Sequence, residues 1–201
     1  MPPAGVNRVD VIIVGKANDD FTATGTVSLV RTPNNKVILV DAGDPWNGDE
    51  LISKLAQLGV QNTDITDVII THGHIDHCAN LSRVVGPDTI VYMDADRSWR
   101  NVYTSTRAEL EESHIDLDGN GVKLRSFRGH TFRDLVVVVE NESRGGTITI
   151  AGDLFEDADD EGNWQALSQF PEAQQESRTA IRNISDWIVP GHGDIFKVNK
   201  N

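Results

Sequence analysis

Residues 71–77 read Thr71-His72-Gly73-His74-Ile75-Asp76-His77, directly after the apolar run Val68-Ile69-Ile70. No other stretch narrows the choice of fold as sharply. Four candidate metal ligands fall within six residues, and a buried strand delivers them into a turn. Imidazole nitrogens with a carboxylate suit zinc, iron or manganese, whereas calcium and magnesium prefer oxygen shells. His72 and His74 stand two apart on an extended segment and so share one side. Asp76 and His77 come after the chain begins to turn and face a second position beside the first. One segment can therefore supply ligands to two ions.

The chain has six histidines, three of them in this cluster. His130 follows the strand-like run 122–127 in Arg128-Gly129-His130-Thr131, and His192 follows Trp187-Ile188-Val189 in Pro190-Gly191-His192-Gly193. Asp153 follows Thr147-Ile148-Thr149-Ile150 in Ala151-Gly152-Asp153. Each stands where an apolar strand ends beside glycine. Loops at the ends of rigid strands carry ligands well, and glycine lets the backbone approach closely. His114, in Glu112-Ser113-His114-Ile115, has no such setting and reads as an ordinary surface or core histidine.

The order His-x-His-x-Asp-His, Gly-His, Gly-Asp and Gly-His resembles the metallo-β-lactamase superfamily. The likeness spans most of the chain, because Val40-Asp41-Ala42-Gly43 resembles that family's early Asp-x-Gly turn. The resemblance implies two divalent transition-metal ions, with zinc favoured and iron or manganese as alternatives. The equivalents of His72, His74 and His130 hold one ion. Those of Asp76, His77 and His192 hold the other, and that of Asp153 bridges. Asp41 is expected beneath the histidine loop, bracing it. Such carboxylates orient ligands and raise their basicity; a plain turn acid before Gly43 is the competing reading.

Strand patterns occur at 8–14, 26–31, 36–40, 68–70, 89–92, 122–127, 134–140, 147–151 and 187–189. Thr32-Pro33-Asn34-Asn35 marks a hairpin. Helices are expected over 49–58, stopped by Gly59, over 76–84, and over 172–184 with Ala173, Ala180, Ile181 and Ile184 inward. Periodicity alone gives mixed α and β. The resemblance implies an α+β chain folded as one αβ/βα sandwich over residues 1–201, with two mixed sheets and helices on the outer faces.

A formal net charge of −13 opposes broad coating of nucleic acid or anionic membranes. Two divalent ions would reverse the field locally, so a phosphate can still enter a metal cleft. No run of 18 apolar residues occurs, and Met1–Asn7 lacks the basic and apolar regions of a signal peptide. A cytosolic or nuclear protein is expected. Cys78 is the only cysteine and reads as a small buried hydrophobe. Asp116-Leu117-Asp118-Gly119-Asn120-Gly121 imitates an EF-hand loop, but Phe127 stands where a bidentate Glu is required, so a tight turn is expected. The acidic run Glu156–Glu161 reads as a solvated loop at the cleft rim. Aromatic residues in 155–170 are candidates for a homodimer contact.

The resemblance implies hydrolysis by a hydroxide generated at the metals, with Asp76 orienting it. An acid at 153 separates the chain from zinc β-lactamases with Cys there. Glyoxalase II-like enzymes share the ligands but carry Thr-Pro-Gly where this chain has Thr131-Phe132-Arg133. Segments such as Ile150–Glu156, Trp164–Ser168 and Gln174–Arg178 resemble an animal branch of the superfamily. That branch implies a phosphodiesterase, an endoribonuclease acting on single-stranded histone pre-mRNA. Other readings stay open: a thioester hydrolase, a mono-iron persulfide dioxygenase-like enzyme, or a metal-binding protein with little turnover.

Overall fold

The computed structural model describes residues 5–18, 20 and 22–200. Residues 1–4, part of the amino-terminal stretch read for a signal sequence, lie outside them. Among the described residues, one sheet has seven strands in the order Arg8–Ile13, Val27–Arg31, Val37–Val40, Asp67–Ile70, Ile90–Met93, Asp96–Trp99, Val102–Ser105. The other has six, ordered Ile115–Asp116, Val122–Phe127, Asp134–Val139, Ile148–Gly152, Trp187–Pro190, Phe196–Lys197. Both are mixed. Asp67–Ile70 runs parallel to both its neighbours, and Ile148–Gly152 runs parallel to Trp187–Pro190.

Side-chain alternation builds three apolar layers. Ile38, Val40 and Ile69 of the first sheet meet Leu124, Leu135, Val137, Val139 and Val189 of the second in the central layer. Leu39, Val68 and Ile70 point outward onto Leu51 and Leu55 of helix Gly48–Gln57. Val136 and Val138 point outward onto Ile181 of helix Pro171–Ile184. Helix, sheet, sheet, helix is the αβ/βα sandwich, and every strand before a candidate ligand ends at one edge of it.

Two expectations are corrected. The helix over 76–84 is two short helices, Ile75–Cys78 and Leu81–Val84. Between them, the Asn80 side-chain amide donates to Ala42 O and Asp44 O, and Ala79 N–H donates to Gly43 O. These bonds tie the chain to the 42–44 turn and interrupt the helical ladder. The inner face of helix Pro171–Ile184 carries Gln174, Ser177, Arg178 and Ile181, while Ala180 and Ile184 are exposed. Polar residues take the inner face because each has a partner there, as described below. Of the aromatic residues in 155–170, Phe155 and Trp164 lie fully buried against Arg178, while Phe170 is half-buried.

Residues 116–121 form the expected tight turn. Asp116 Oδ1 accepts from Asp118 N and Gly119 N, and Asp118 Oδ1 accepts from Asn120 N and Val122 N. Among the described residues no helix is long and apolar enough to cross a membrane.

Candidate metal centre

The strand Asp67–Ile70 is buried along its whole length and ends in Thr71, which opens the histidine loop. Asp41 lies beneath that loop. Its Oδ1 accepts from Thr71 N at 2.7 Å, and its Oδ2 accepts from Thr71 Oγ1 at 2.9 Å and contacts His77 Nδ1 at 2.8 Å. Asp41 holds a left-handed φ of 64°, a conformation that Asp tolerates but that costs energy and persists where surroundings over-determine it. Three bonds from one buried carboxylate do so here. They fix the loop's entry and turn His77 Nε2 toward the centre.

The second sheet supplies the rest. Gly152 has φ 54° and packs where a Cβ would meet Thr71 at 2.9 Å, so the strand before Asp153 approaches the histidine loop directly. At Gly191 a Cβ would lie 1.8 Å from Asp153 Oδ1. Any side chain there would displace the carboxylate, which explains the Gly before His192.

The seven candidate ligands come together. His72, His74, His130 and Asp153 form one group, and Asp76, His77 and His192 another, each with ligand atoms within 4.8 Å of one another. Asp153 touches both. Its Oδ2 is 3.4 Å from His72 Nε2, 3.3 Å from His130 Nε2 and 3.2 Å from His192 Nε2, and its Oδ1 is 3.1 Å from His77 Nε2. His114 is remote from this set, exposed and 2.8 Å from Ser113 Oγ.

The donor set fits divalent cations. Among the described residues, His72 Nε2, His77 Nε2 and Asp153 Oδ1 are buried without a hydrogen-bond partner, although they face one another. His130 Nε2 and His74 Nδ1, both imidazole nitrogens, converge to 3.0 Å. Buried polar atoms left unpaired are costly, and a cation at their focus would satisfy them together.

The electrostatics follow from burial and from Asp153. Burial disfavours charge on His130 and depresses it to about 3. Burial opposes charge on His192 too, but its bond to Asp153 and that carboxylate's charge outweigh it, giving about 9. His77 is likewise desolvated, yet Asp153 and Asp41 raise it well above the usual histidine value. Asp153 is held well below the usual carboxylate range by His77 and His72 despite its burial.

Glu156 was not anticipated. The acidic run is only partly solvated: Glu156 and Asp160 are buried, at 6% and 3% exposure. Glu156 lies 3.6 Å from His130 Nδ1 and 3.8 Å from His192 Nε2, and forms a third possible ligand group with Asp153 and His192. Burial and the Asp153 charge push it up to about 8. Asp160 is buried because Arg178 grips both its oxygens, at 2.7 and 2.6 Å. Arg178 also donates to Leu154 O, Gln174 donates to Asp153 O and Leu154 O, and Ser177 donates to Arg128 O. The polar inner face of the helix thus holds the segment that carries Asp153. Nothing in the periodicity marks this, since buried Gln and Arg look like solvent-facing residues.

The centre opens into a cavity of about 280 Å³ lined by Ala17, Asn18, Thr22, Ala23, His74, Asp76, His130, Asp153, Glu156, Leu167 and His192. On the other side of His74 a second hollow of about 370 Å³ includes Met93, Thr131, Phe132 and Gln169. Phe132 is 59% exposed there. The Arg128 guanidinium lies 4.8 Å from its ring centre and 3.8 Å from that of Phe170.

The profile of the metallo-beta-lactamase superfamily matches residues 22–192. Metallo-beta-lactamase domain-containing protein 1 of Xenopus laevis is 37% identical, the alignment covering 99% of this chain and 85% of that protein. The protein of the same name from Mus musculus is 40% identical over 90% of this chain and 66% of its own length, and that from Homo sapiens 39% over 80% and 59%. The chain therefore spans about three fifths to two thirds of these mammalian relatives. Among solved structures, a metallo-beta-lactamase-type protein of Thermotoga maritima aligns with TM-score 0.69 and 18% identity, covering 96% of this chain and 99% of that one. A quorum-quenching N-acyl homoserine lactone lactonase aligns with TM-score 0.62 and 14% identity, over 96% and 94%. These two likenesses concern the fold.

Proposed function

Because the chain belongs to the metallo-beta-lactamase superfamily, whose members are generally metal-dependent hydrolases, we propose that its seven-residue cluster is a two-ion hydrolytic centre acting on a phosphodiester. Single-stranded RNA is the substrate class favoured here, and the animal branch that the chain resembles implies histone pre-mRNA. The carrying observation is Asp153, whose two oxygens face both ligand groups at 3.1–3.4 Å. A carboxylate so placed suits a symmetric pair of sites.

In this reading His72, His74 and His130 would hold one ion, Asp76, His77 and His192 would hold the other, and Asp153 would serve both. When bound, divalent ions supply Lewis acidity to water and to the substrate's phosphoryl oxygen. The protein's own residues do the positioning. Asp76, with Oδ2 3.6 Å from His77 Nε2 and 3.8 Å from His192 Nε2, borders the cavity. Its carboxylate accepts a hydrogen bond from the attacking water and sets its direction. Asp41 keeps His77 in one orientation. No Ser or Cys nucleophile is required. Cys78 is half-buried, and burial raises its thiol above the usual range, the opposite of activation.

The rim supports a nucleotide ligand. Exposed Phe132 offers an aromatic surface for base stacking, and the exposed Arg128 guanidinium lies beside it, 4.8 Å from its ring centre. Aromatic and guanidinium planes are the usual platforms for unpaired bases.

The test is cleavage of a single-stranded RNA by the metal-loaded protein. Chelation abolishes it, and Asp76→Asn lowers it by about 10²–10⁴-fold, the range for loss of a proton-handling group. Wild-type rates in that variant would overturn the reading. One iron per chain with oxygen uptake would replace it by the dioxygenase alternative.

A further inference from the structure

Each buried histidine of the centre has one nitrogen facing inward, and the other needs a partner. His77 Nδ1 has Asp41 at 2.8 Å, His72 Nδ1 has Thr71 Oγ1 at 3.1 Å, and His192 Nδ1 has Thr24 O at 3.1 Å. His130 is the exception: its Nδ1 is buried and has no hydrogen-bond partner among the described residues. The nearest carboxylate oxygen is Glu156 Oε1 at 3.6 Å, which is also buried and unpartnered. Two hydrogen bonds meeting at a bridging water span about 4.5 Å at its tetrahedral angle, more than the 3.6 Å here, so the gap suits a direct bond. A shift of a few tenths of an ångström makes the bond, and both orphans are then satisfied.

The backbone of Glu156 is held for such a role. Its N–H donates to Asp160 Oδ2 at 2.8 Å, and its C=O accepts from His192 N–H at 2.7 Å. Asp160 is in turn gripped by the buried Arg178. A surface acid has no need of this support, whereas a group that aims at one nitrogen does.

We propose that Glu156 braces His130: one carboxylate oxygen accepts the Nδ1–H bond, fixing the ring so that Nε2 faces the first ion, and the other oxygen borders the cavity beside His192. Glu156 is a positioning residue, the counterpart on the second sheet of Asp41 on the first. The proposal rests on the cluster being a metal centre, and not on the identity of the substrate.

The experiment uses the full chain and Zn²⁺. Stepwise affinities are read by competition with a chromophoric chelator, and imidazole protons by long-range ¹⁵N NMR. In the zinc-loaded wild type, the His130 Nδ1 proton is expected far downfield and protected from exchange. Glu156→Gln weakens one of the two stepwise affinities by about 10–100-fold, as loss of such a carboxylate does, and the proton loses its protection. Glu156→Asp keeps the charge but shortens the reach, and loses the protection as well. Unchanged affinities in Glu156→Gln would overturn the proposal. So would a freely exchanging His130 Nδ1 proton in the wild type, a readout that stands even where the variants fail to fold. Failure of the wild type to bind Zn²⁺ would sink the metal-centre reading instead.

Discussion

The two halves of the centre are built differently. On the first sheet, residues 71–77 deliver four candidate ligands from one loop, and a single carboxylate, Asp41, holds that loop by three bonds. On the second sheet, His130, Asp153 and His192 come from three separate strand ends. They are held by a chain of contacts running from Arg178 through Asp160 to Glu156. The first half concentrates its support in one short sequence motif. The second distributes it over a helix face and a loop, and its failure should be correspondingly local.

The largest expected effect comes from the distributed half. Arg178 and Asp160 are each 2% exposed in their side chains. Arg178→Ala leaves a buried carboxylate unpaired, which costs about 3–5 kcal/mol, and it also removes the guanidinium from the faces of Phe155 and Trp164. Chemical denaturation reads the loss. Hydrogen exchange is expected to quicken over residues 154–164 while the amides of 71–78 keep their protection. Equal quickening in both segments would erase the contrast between the halves.

Asp41→Asn probes the compact half more gently, because Asn also tolerates the left-handed backbone. It removes the charge facing His77 and is expected to weaken one stepwise Zn²⁺ affinity by about 10–100-fold. Calorimetric titration checks it, and an unchanged affinity would reduce Asp41 to the plain turn acid of the competing reading.

The smallest effect is a pH slope. His192, raised from 6.5 to about 9, and His77, also raised, gain carboxylate partners on folding without metal. Their stabilisation of the metal-free fold is fully present below about pH 6.5, their value in the unfolded chain, and declines as pH rises through the folded values, about 9 for His192 and well above the usual histidine range for His77. A cation must displace these protons. Zn²⁺ binding at pH 7 is therefore expected to release protons, seen as a buffer-dependent heat, and to tighten as pH rises. Buffer-independent heats would contradict it.

The same contrast decides what was legible in the sequence. The histidine loop was readable because its candidate ligands fall within six residues and follow an apolar strand. His130, Asp153 and His192 were readable through their Gly neighbours and their order. The sandwich came from the resemblance, since strand patterns do not tell one sheet from two. Glu156 was hidden in an acidic run whose neighbours Asp157, Asp159 and Glu161 are indeed exposed. Gln174, Ser177 and Arg178 were hidden because hydropathy periodicity counts apolar residues, and this helix buries polar ones against backbone carbonyls and Asp160. The break at Asn80 escaped for the same reason: a side-chain amide satisfying the 42–44 turn leaves no hydropathy signature.

The central claim is that seven residues from both sheets make one two-ion centre. Elemental analysis joined to anomalous scattering on crystals of the metal-loaded protein tests it most directly. The account predicts two ions per chain, one among His72, His74 and His130 and one among Asp76, His77 and His192, with Asp153 touching both. A single ion per chain, with Asp76, His77 and His192 uninvolved, would contradict it.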